Sequence, residues 1–283
     1  MSVTTVPTRA RARRKSLAHR LRVSAAYLIT LLIVSPLLIM TSDAFKTEAD
    51  AFTVPPKIIF TPTLATMKAA IHAGYVPALL NSVIDVGMST LICIVLGVPA
   101  AFGLAYYKYR NNDRIVFWML STSFLPSVGV IIPLYVLFNN LHLLDTQTAL
   151  IVLYTAMNLP LVVLIMRSYY LDVPREIVEA AQVDGAGSLR LFFSVVGPIA
   201  LPGVATSALL SIIFAWNEFF FALMLTSTRA ATLPVFIAAA QTGQSLGLAS
   251  VSAAAVLAVG PLVLLGFIAQ RHLAEGFTLG AVK

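Results

Sequence analysis

Few residues in this chain have the type and placement to do chemistry, and the most conspicuous sit in apolar surroundings. Asp85 follows Asn81 and Ser82 in the run Leu79–Tyr106, and Trp216-Asn217-Glu218 interrupts the run Val204–Leu225. An ionisable group in hydrocarbon is expensive and normally faces protein or water. A buried carboxylate also needs partners. Asp85, Asn217 and Glu218 therefore each have two readings: Asp85 lines the solute path or is a carboxylate near the outer interface, hydrated or paired, and Asn217 and Glu218 face or brace that path or form a polar knot that fixes helix packing. Neither use is catalytic. The chain contains no G-x-x-x-x-G-K-[ST] and no H-E-x-x-H, so it offers neither a phosphate-binding loop nor that zinc pattern. His19, His72, His142 and His272 are dispersed, and Cys93 is the single cysteine, in an apolar run. No nucleophile, paired carboxylates or metal-ligand set can be assembled. The reading is a protein that is not an enzyme and uses no cofactor.

Composition gives the class. Of 283 residues, 59% are hydrophobic and 11% charged, where a soluble domain carries about 25% charged residues. This is an integral membrane protein. The net charge of +7 would admit nucleic acid, but the basic residues are distributed as membrane topology requires. Residues 1–22 hold Arg9, Arg11, Arg13, Arg14, Lys15, Arg20 and Arg22 and no acid. They read as a basic cytoplasmic tail without fixed structure, held near anionic lipid.

Six apolar segments follow, making residues 23–283 one all-α, polytopic, six-span domain. Val23–Met40 is the first. Its basic flank and Ala49-Asp50-Ala51 imitate a signal peptide, but the run is longer than such a core and ends too early. A retained helix is expected. Residues 43–75 form an external segment, and Leu79–Tyr106 is the second span. Ile115–Phe138 is the third, interrupted by Pro126 and Pro133, which free backbone carbonyls that neighbours or water must satisfy. A re-entrant segment, leaving five spans, is the alternative there. Leu150–Met166, Val204–Leu225 and Val251–Ile268 complete the set, with residues 226–248 outside.

Between the fourth and fifth spans lies a polar, glycine-punctuated insert, Glu179–Pro202, within a loop of residues 172–203. Pro174 suits a helix's first turn, and Ile177, Val178, Ala180 and Ala181 put apolar groups on one side. Gly185-Ala186-Gly187 breaks the helix. Ser188 can cap a second one, where Leu189, Phe192, Phe193 and Val196 fall on one face, and Pro198 and Pro202 end or kink it. Glu179-Ala180-Ala181, three residues, Gly185, nine residues, then Val195-x-Gly197-Pro198 resembles the EAA loop of ABC importer inner-membrane subunits. Val195 replaces Ile, and Gly197 stands where Leu is usual. Phe214–Thr226 (FAWNEFFFALMLT) and the C-terminal GFTLGAVK resemble the carbohydrate, maltose-type branch.

The resemblance implies a permease subunit importing a carbohydrate by alternating access, with the loop docking on an ATPase through Glu179, Ala180, Ala181, Asp184 and Gly185. It also implies a second, similar permease, two cytoplasmic ATPase subunits and an external solute-binding protein. The same architecture serving a polyol, glycerol phosphate or another small solute is the alternative. A membrane-embedded enzyme is disfavoured by the missing catalytic set, and a scaffold by the motif spacing. Charge supports this orientation. Lys46, Lys57, Lys68 and Arg229 are the external four of nineteen Lys and Arg residues, and the other fifteen fall in the tail, the 2–3 turn, the loop and the C-terminus. That bias puts both ends and the loop in the cytoplasm, with Ser2, Asn111, Gly187 and Lys283 inside and Pro56, Asp145 and Gly243 outside. Membrane-impermeant labelling of cysteines at Asp145 and Gly187 is expected to report opposite faces; the same face for both contradicts six spans.

Overall fold

The structure, a computed structural model, describes the backbone of residues 9–107, 111–242 and 246–281. Ser2, Gly243 and Lys283, three of the topology markers, lie outside these residues. Among the described residues every element is helical. In order they are α1 (Arg9–Asp43), α2 (Glu48–Ala51), α3 (Ala65–Ala70), α4 (Val76–Tyr106), α5 (Asn112–Ser123), α6 (Ser127–Asn140) and α7 (Gln147–Leu171). Then come α8 (Arg175–Val183), α9 (Ser188–Arg190), α10 (Gly197–Ile199), α11 (Leu201–Trp216), α12 (Phe220–Leu225), α13 (Leu233–Thr242) and α14 (Leu248–Ala281). Four helices are long and apolar enough to cross a membrane, and there are six crossings if each of two bent pairs is one span.

Several spans depart from the sequence expectation. Helix α1 begins at Arg9, so the described part of the basic tail is helical and continuous with the first span. The second crossing starts at Ala65, where a π-turn over Ile71–Tyr75 joins α3 to α4 around Gly74, whose φ of 112° is open to glycine. The third is two helices meeting at 90°. Its break is at Phe124–Pro126, since Pro126 caps α6 while Pro133 is carried inside that helix. The fifth stops at Trp216 and resumes at Phe220. Residues 226–248, expected as an external segment, contain α13, a helix with apolar Leu233, Val235, Phe236 and Ile237.

Helices α4 and α7 form the most extensively packed pair, and α11 lies against both. Small residues allow the close approach, as in membrane helix packing generally. A Cβ on Gly97 of α4 would fall 2.7 Å from Cγ1 of Val162 on α7, and one on Gly203 of α11 would fall 2.6 Å from the Tyr169 ring. The interior has two parts. One is built around Tyr75, Tyr154, Trp216, Phe221 and Leu233. The other, around Cys93, Phe102, Val162, Tyr170, Val178 and Val196, includes the residues beneath the loop that follows α7.

Helix α14 packs on α11, and α1 packs on α14 with most of its apolar side chains exposed, Tyr27, Leu28 and Leu32 among them. The anchor between these outer helices is Glu48. Its carboxylate accepts the backbone N–H groups of Ala249 and Ser250, both at 2.9 Å, and the Ser250 hydroxyl at 2.6 Å. A carboxylate at a helix N-terminus satisfies orphan donors and complements the dipole. Gly247 is needed beside it, because any Cβ there would overlap the Glu48 carboxylate. Ala49-Asp50-Ala51, the imitation of a cleavage site, belongs to the short helix that carries this anchor.

Candidate functional site: a surface loop, a braced span and an outer clasp

The loop after α7 begins with Pro174 as the N-cap of α8, one position ahead of the expected first turn. Val178 is buried and Ala181 packs against the same inner core, whereas Glu179, Ala180, Asp184 and Gly185 are exposed. Gly185 ends α8 with φ +79°, the left-handed conformation that suits glycine after a helix. Its N–H donates to the Gln182 carbonyl at 3.0 Å, and that of Ala186 to Ala181 at 2.9 Å. Among the described residues, apart from its two chain neighbours, nothing comes within 4 Å of a Cβ built on Gly185. The five predicted docking residues therefore lie on one helix and the turn ending it.

The second half of the loop differs from the expectation. Gly187, not Ser188, is the N-cap of α9, and the chain then winds into a π-turn over Leu191–Val196. Leu191 and Val196 are buried, and Phe192 and Val195 pack beside them. Leu189 and Phe193, expected on the inner face, are 75% and 68% exposed. Gly197 explains the departure from Leu in the motif. Its N–H donates to the Phe192 carbonyl, closing the π-turn. A Cβ at position 197 would lie 2.5 Å from that oxygen.

Within the membrane layer the two carboxylates occupy different settings. Glu218 stands at the break between α11 and α12. Its carboxylate accepts the N–H groups of Phe221 at 2.9 Å and Ala222 at 3.1 Å, and the Tyr154 hydroxyl donates to it at 3.3 Å. It thus satisfies the first free donors of α12 and ties the break to α7. Asn217 beside it is exposed, with its amide donating to the Ile213 carbonyl at 2.7 Å. Asn217 lines a cavity of about 420 Å³ with Trp216, Phe219 and Gln241. Asp85 is fully buried, and neither of its oxygens meets a hydrogen-bond donor among the described residues. The sequence reading grouped these three residues. The structure brings Asn217 and Glu218 together and sets Asp85 in the packed interior of α4.

A larger cavity, about 510 Å³, lies at the α5–α6 break and is lined by Thr122, Ser123 and Ser127 together with Pro160, Met157 and Phe221. Irregular backbone at membrane depth is tolerated where it lines such a space or is covered by protein.

At the end of the bundle where α4 and α7 begin, a clasp appears that sequence reasoning missed. Asp145, with φ +55°, accepts N–H groups from Ser227, Arg229 and Ala230 at 3.0–3.2 Å, along with the Ser227 hydroxyl. Asn81 donates to the carbonyls of Arg229 and Ala231 at 3.0 Å, Gln147 donates to Asn81, and the Leu233 N–H donates to Ser82. The start of α4, the 6–7 turn and the segment before α13 are joined in this way. The available signal was Asn81 and Ser82 at a span end, but their partners lie about 150 residues away in sequence.

With this geometry in view, the comparisons with known proteins are decisive. Residues 70–278 match the model of the binding-protein-dependent transport system inner membrane component. The chain belongs to that family. It is a membrane transport subunit and not an enzyme, as the missing catalytic set implied. It is 34% identical to the sulfoquinovosyl glycerol transport system permease protein of Agrobacterium fabrum, over 93% of each chain. It is 35% identical to the trehalose transport system permease protein of Mycobacterium tuberculosis, over 73% of this chain and 76% of that one. Among solved structures, a chain of a bacterial ABC transporter involved in importing the polysaccharide alginate has the same fold. It aligns with a TM-score of 0.75 at 20% identity, covering 95% of this chain and 99% of that one.

The clasp has a defined pH dependence. Burial alone would raise the Asp145 pKa, but the N–H groups of Ser227, Ala230 and Arg229 outweigh it and hold the carboxyl well below the usual range. A depressed folded pKa gives stability that is complete above the unfolded value and lost as pH falls through the folded one. Asp145→Asn is expected to cost about 1–2 kcal/mol at neutral pH. The gap in melting temperature from wild type should persist to pH 5 and close only as pH falls below about 4. Equal melting at pH 7 would show that the clasp contributes nothing.

Proposed function

We propose that this transport subunit imports a carbohydrate, and that loop 172–203 is the coupling helix pair through which a cytoplasmic ATPase drives it. The observation that carries this reading is the surface of that loop. An acidic, small-residue tip formed by Glu179, Ala180, Ala181, Asp184 and Gly185 is bordered by exposed Val183, Leu189 and Phe193. Large apolar groups exposed beside a polar tip mark a surface made for another protein. In the orientation favoured by the charge bias, this surface faces the cytoplasm. The sugar assignment is supported by relatives named for trehalose, for sulfoquinovosyl glycerol and for melibiose, raffinose and stachyose. A second similar permease, two ATPase subunits and an external solute-binding protein complete the assembly. Both termini, including the basic tail of residues 1–22, are on the cytoplasmic side, and residues 23–283 form the permease domain.

In this mechanism the chain binds no nucleotide. Closure of the ATPases displaces the loop, and the helix body turns with it, exchanging access to the solute between the two faces. Asn217, exposed in its cavity, faces the solute path. Glu218 braces the broken span behind it, and Asp85 supports the path from within α4. Catalysis of the transport cycle resides in these changes of access and not in bond chemistry.

Gly185→Val tests the loop. Valine at φ +79° carries a backbone penalty with no neighbouring atom to clash with, so its effect reports on the shape of the turn. The expected outcome is ATPase docking lost, or hydrolysis no longer tied to uptake, with uptake reduced about tenfold or more. A Gly185→Val complex that assembles and transports at the normal rate would overturn this assignment of the loop.

A further inference from the structure

If the loop is the handle, its movement has to reach the spans through whatever it touches. Beside the aliphatic Val178, Leu191 and Val196, the contact contains a continuous set of rings. Phe102, in the last turns of α4 and 6% exposed, lies at its centre. Its ring centroid is 5.0 Å from that of Tyr106 and 6.3 Å from that of Tyr107 on its own helix end. It is 5.7 Å from Tyr170 on α7 and 5.1 Å from Phe192 in the π-turn, both edge-on. Phe192 in turn meets the exposed Phe193 at 4.7 Å. Rings therefore run without interruption from the loop surface to α4 and α7. Two hydroxyls flank them. Tyr106 donates to the Tyr170 carbonyl at 2.8 Å, and Tyr107 donates to Ser188 at the start of α9.

We propose that Phe102 is the positioning residue of the coupling step, the joint that makes α4 and α7 follow the loop. This rests on the assignment of the loop as the ATPase contact. The physical argument is stiffness. Edge-to-face rings have preferred offsets and few side-chain torsions, and a close-packed interior transmits displacement instead of absorbing it. A displaced Phe192 must carry Phe102 with it or lose the contact. An aliphatic side chain of similar volume would keep the site filled but could slide. The π-turn belongs to the same device. It buries Leu191 and Val196 and keeps Phe192 packed against the same cluster, and Gly197 is the residue that leaves room for it. Phe102 lies beneath the loop and not at its exposed tip, and Phe192 is the loop residue whose ring meets it.

The test uses the full assembly in proteoliposomes: this chain with its partner permease and ATPase, and the binding protein outside. Three quantities are read: co-purification of the ATPase, ATP hydrolysis, and uptake of radiolabelled trehalose, maltose or melibiose, whichever the wild-type complex accepts. For Phe102→Leu and Phe192→Leu the ATPase should still co-purify and hydrolyse ATP. Sugar moved per ATP should fall about fivefold or more. Phe192→Tyr, which keeps the ring, should retain the wild-type ratio. The double leucine variant should be no worse than either single one, because both remove the same contact. Leucine variants with the wild-type ratio would overturn the proposal, as would single losses that multiply in the double variant. So would failure of both leucine variants to assemble, which would make the contact one of folding only. A wild-type complex without ATP-dependent uptake would instead contradict the functional reading on which the joint rests.

Discussion

The constraint on which this structure depends is that backbone N–H and C=O groups in an apolar layer must find partners within the protein. An unbroken helix meets it automatically. This chain breaks or distorts its helices in several places and has to meet it locally each time. At Asn217–Phe219 the partner is Glu218, whose carboxylate takes the free donors of α12 while Tyr154 holds it from α7. At Phe124–Pro126 the N–H groups of Phe124 and Leu125 fall back on Ser121 and Thr122 at 3.3 Å, and proline removes another donor. At Ala200, where the chain bends by 75°, its N–H still reaches Val196 at 2.9 Å. A carboxylate at membrane depth is thus explained at Glu218 by the break it serves.

The same constraint separates what could be read in the sequence from what could not. The six apolar segments, the loop between the fourth and fifth, and the left-handed turn at Gly185 were legible because each is local: a run of apolar residues, a change of composition, a glycine after a short helix. The charge bias is legible for the same reason. The distortions were not. The π-turn over Leu191–Val196 leaves Leu189 and Phe193 exposed and buries Leu191 instead, and only the combination of Gly197 with the Phe192 carbonyl discloses it. Pro126 and Pro133 look alike in sequence, yet one caps the start of α6 and the other is carried within it. Glu48 gripping α14 and Tyr154 gripping Glu218 are pairs 201 and 64 residues apart, and neither residue type announces a partner. Asp85 was legible as unusual, and it proves to be buried inside α4's packing rather than at an open surface.

These local solutions make the chain stiff where a transport subunit needs stiffness. The packed trio α4, α7 and α11 is held at the start of α4 and α7 by Asp145 and Asn81 and in its middle by Glu218. At the opposite end the ring cluster around Phe102 fastens the loop to it. The tip of the loop stays exposed, as do apolar side chains on the outer helices and on one side of α4, Leu91 and Val95 among them. A body tied at three levels, with one handle, suits rocking about a partner better than internal rearrangement. Two of its cavities lie beside broken spans, where a change of packing partner alters access without unfolding a helix.

That rigidity is the central claim, and an intramolecular distance tests it most directly. Spin labels at Gly187 in the loop and His142 in the opposite turn, in a Cys93→Ser background, span the body from end to end. Pulsed electron resonance on the assembled complex, without nucleotide and with ATP trapped, should give one unchanged distance distribution while the complex still transports. A distribution that shifts or splits on ATP binding would mean that the loop moves relative to the helices it is fastened to, and the account of a single rigid body would be wrong.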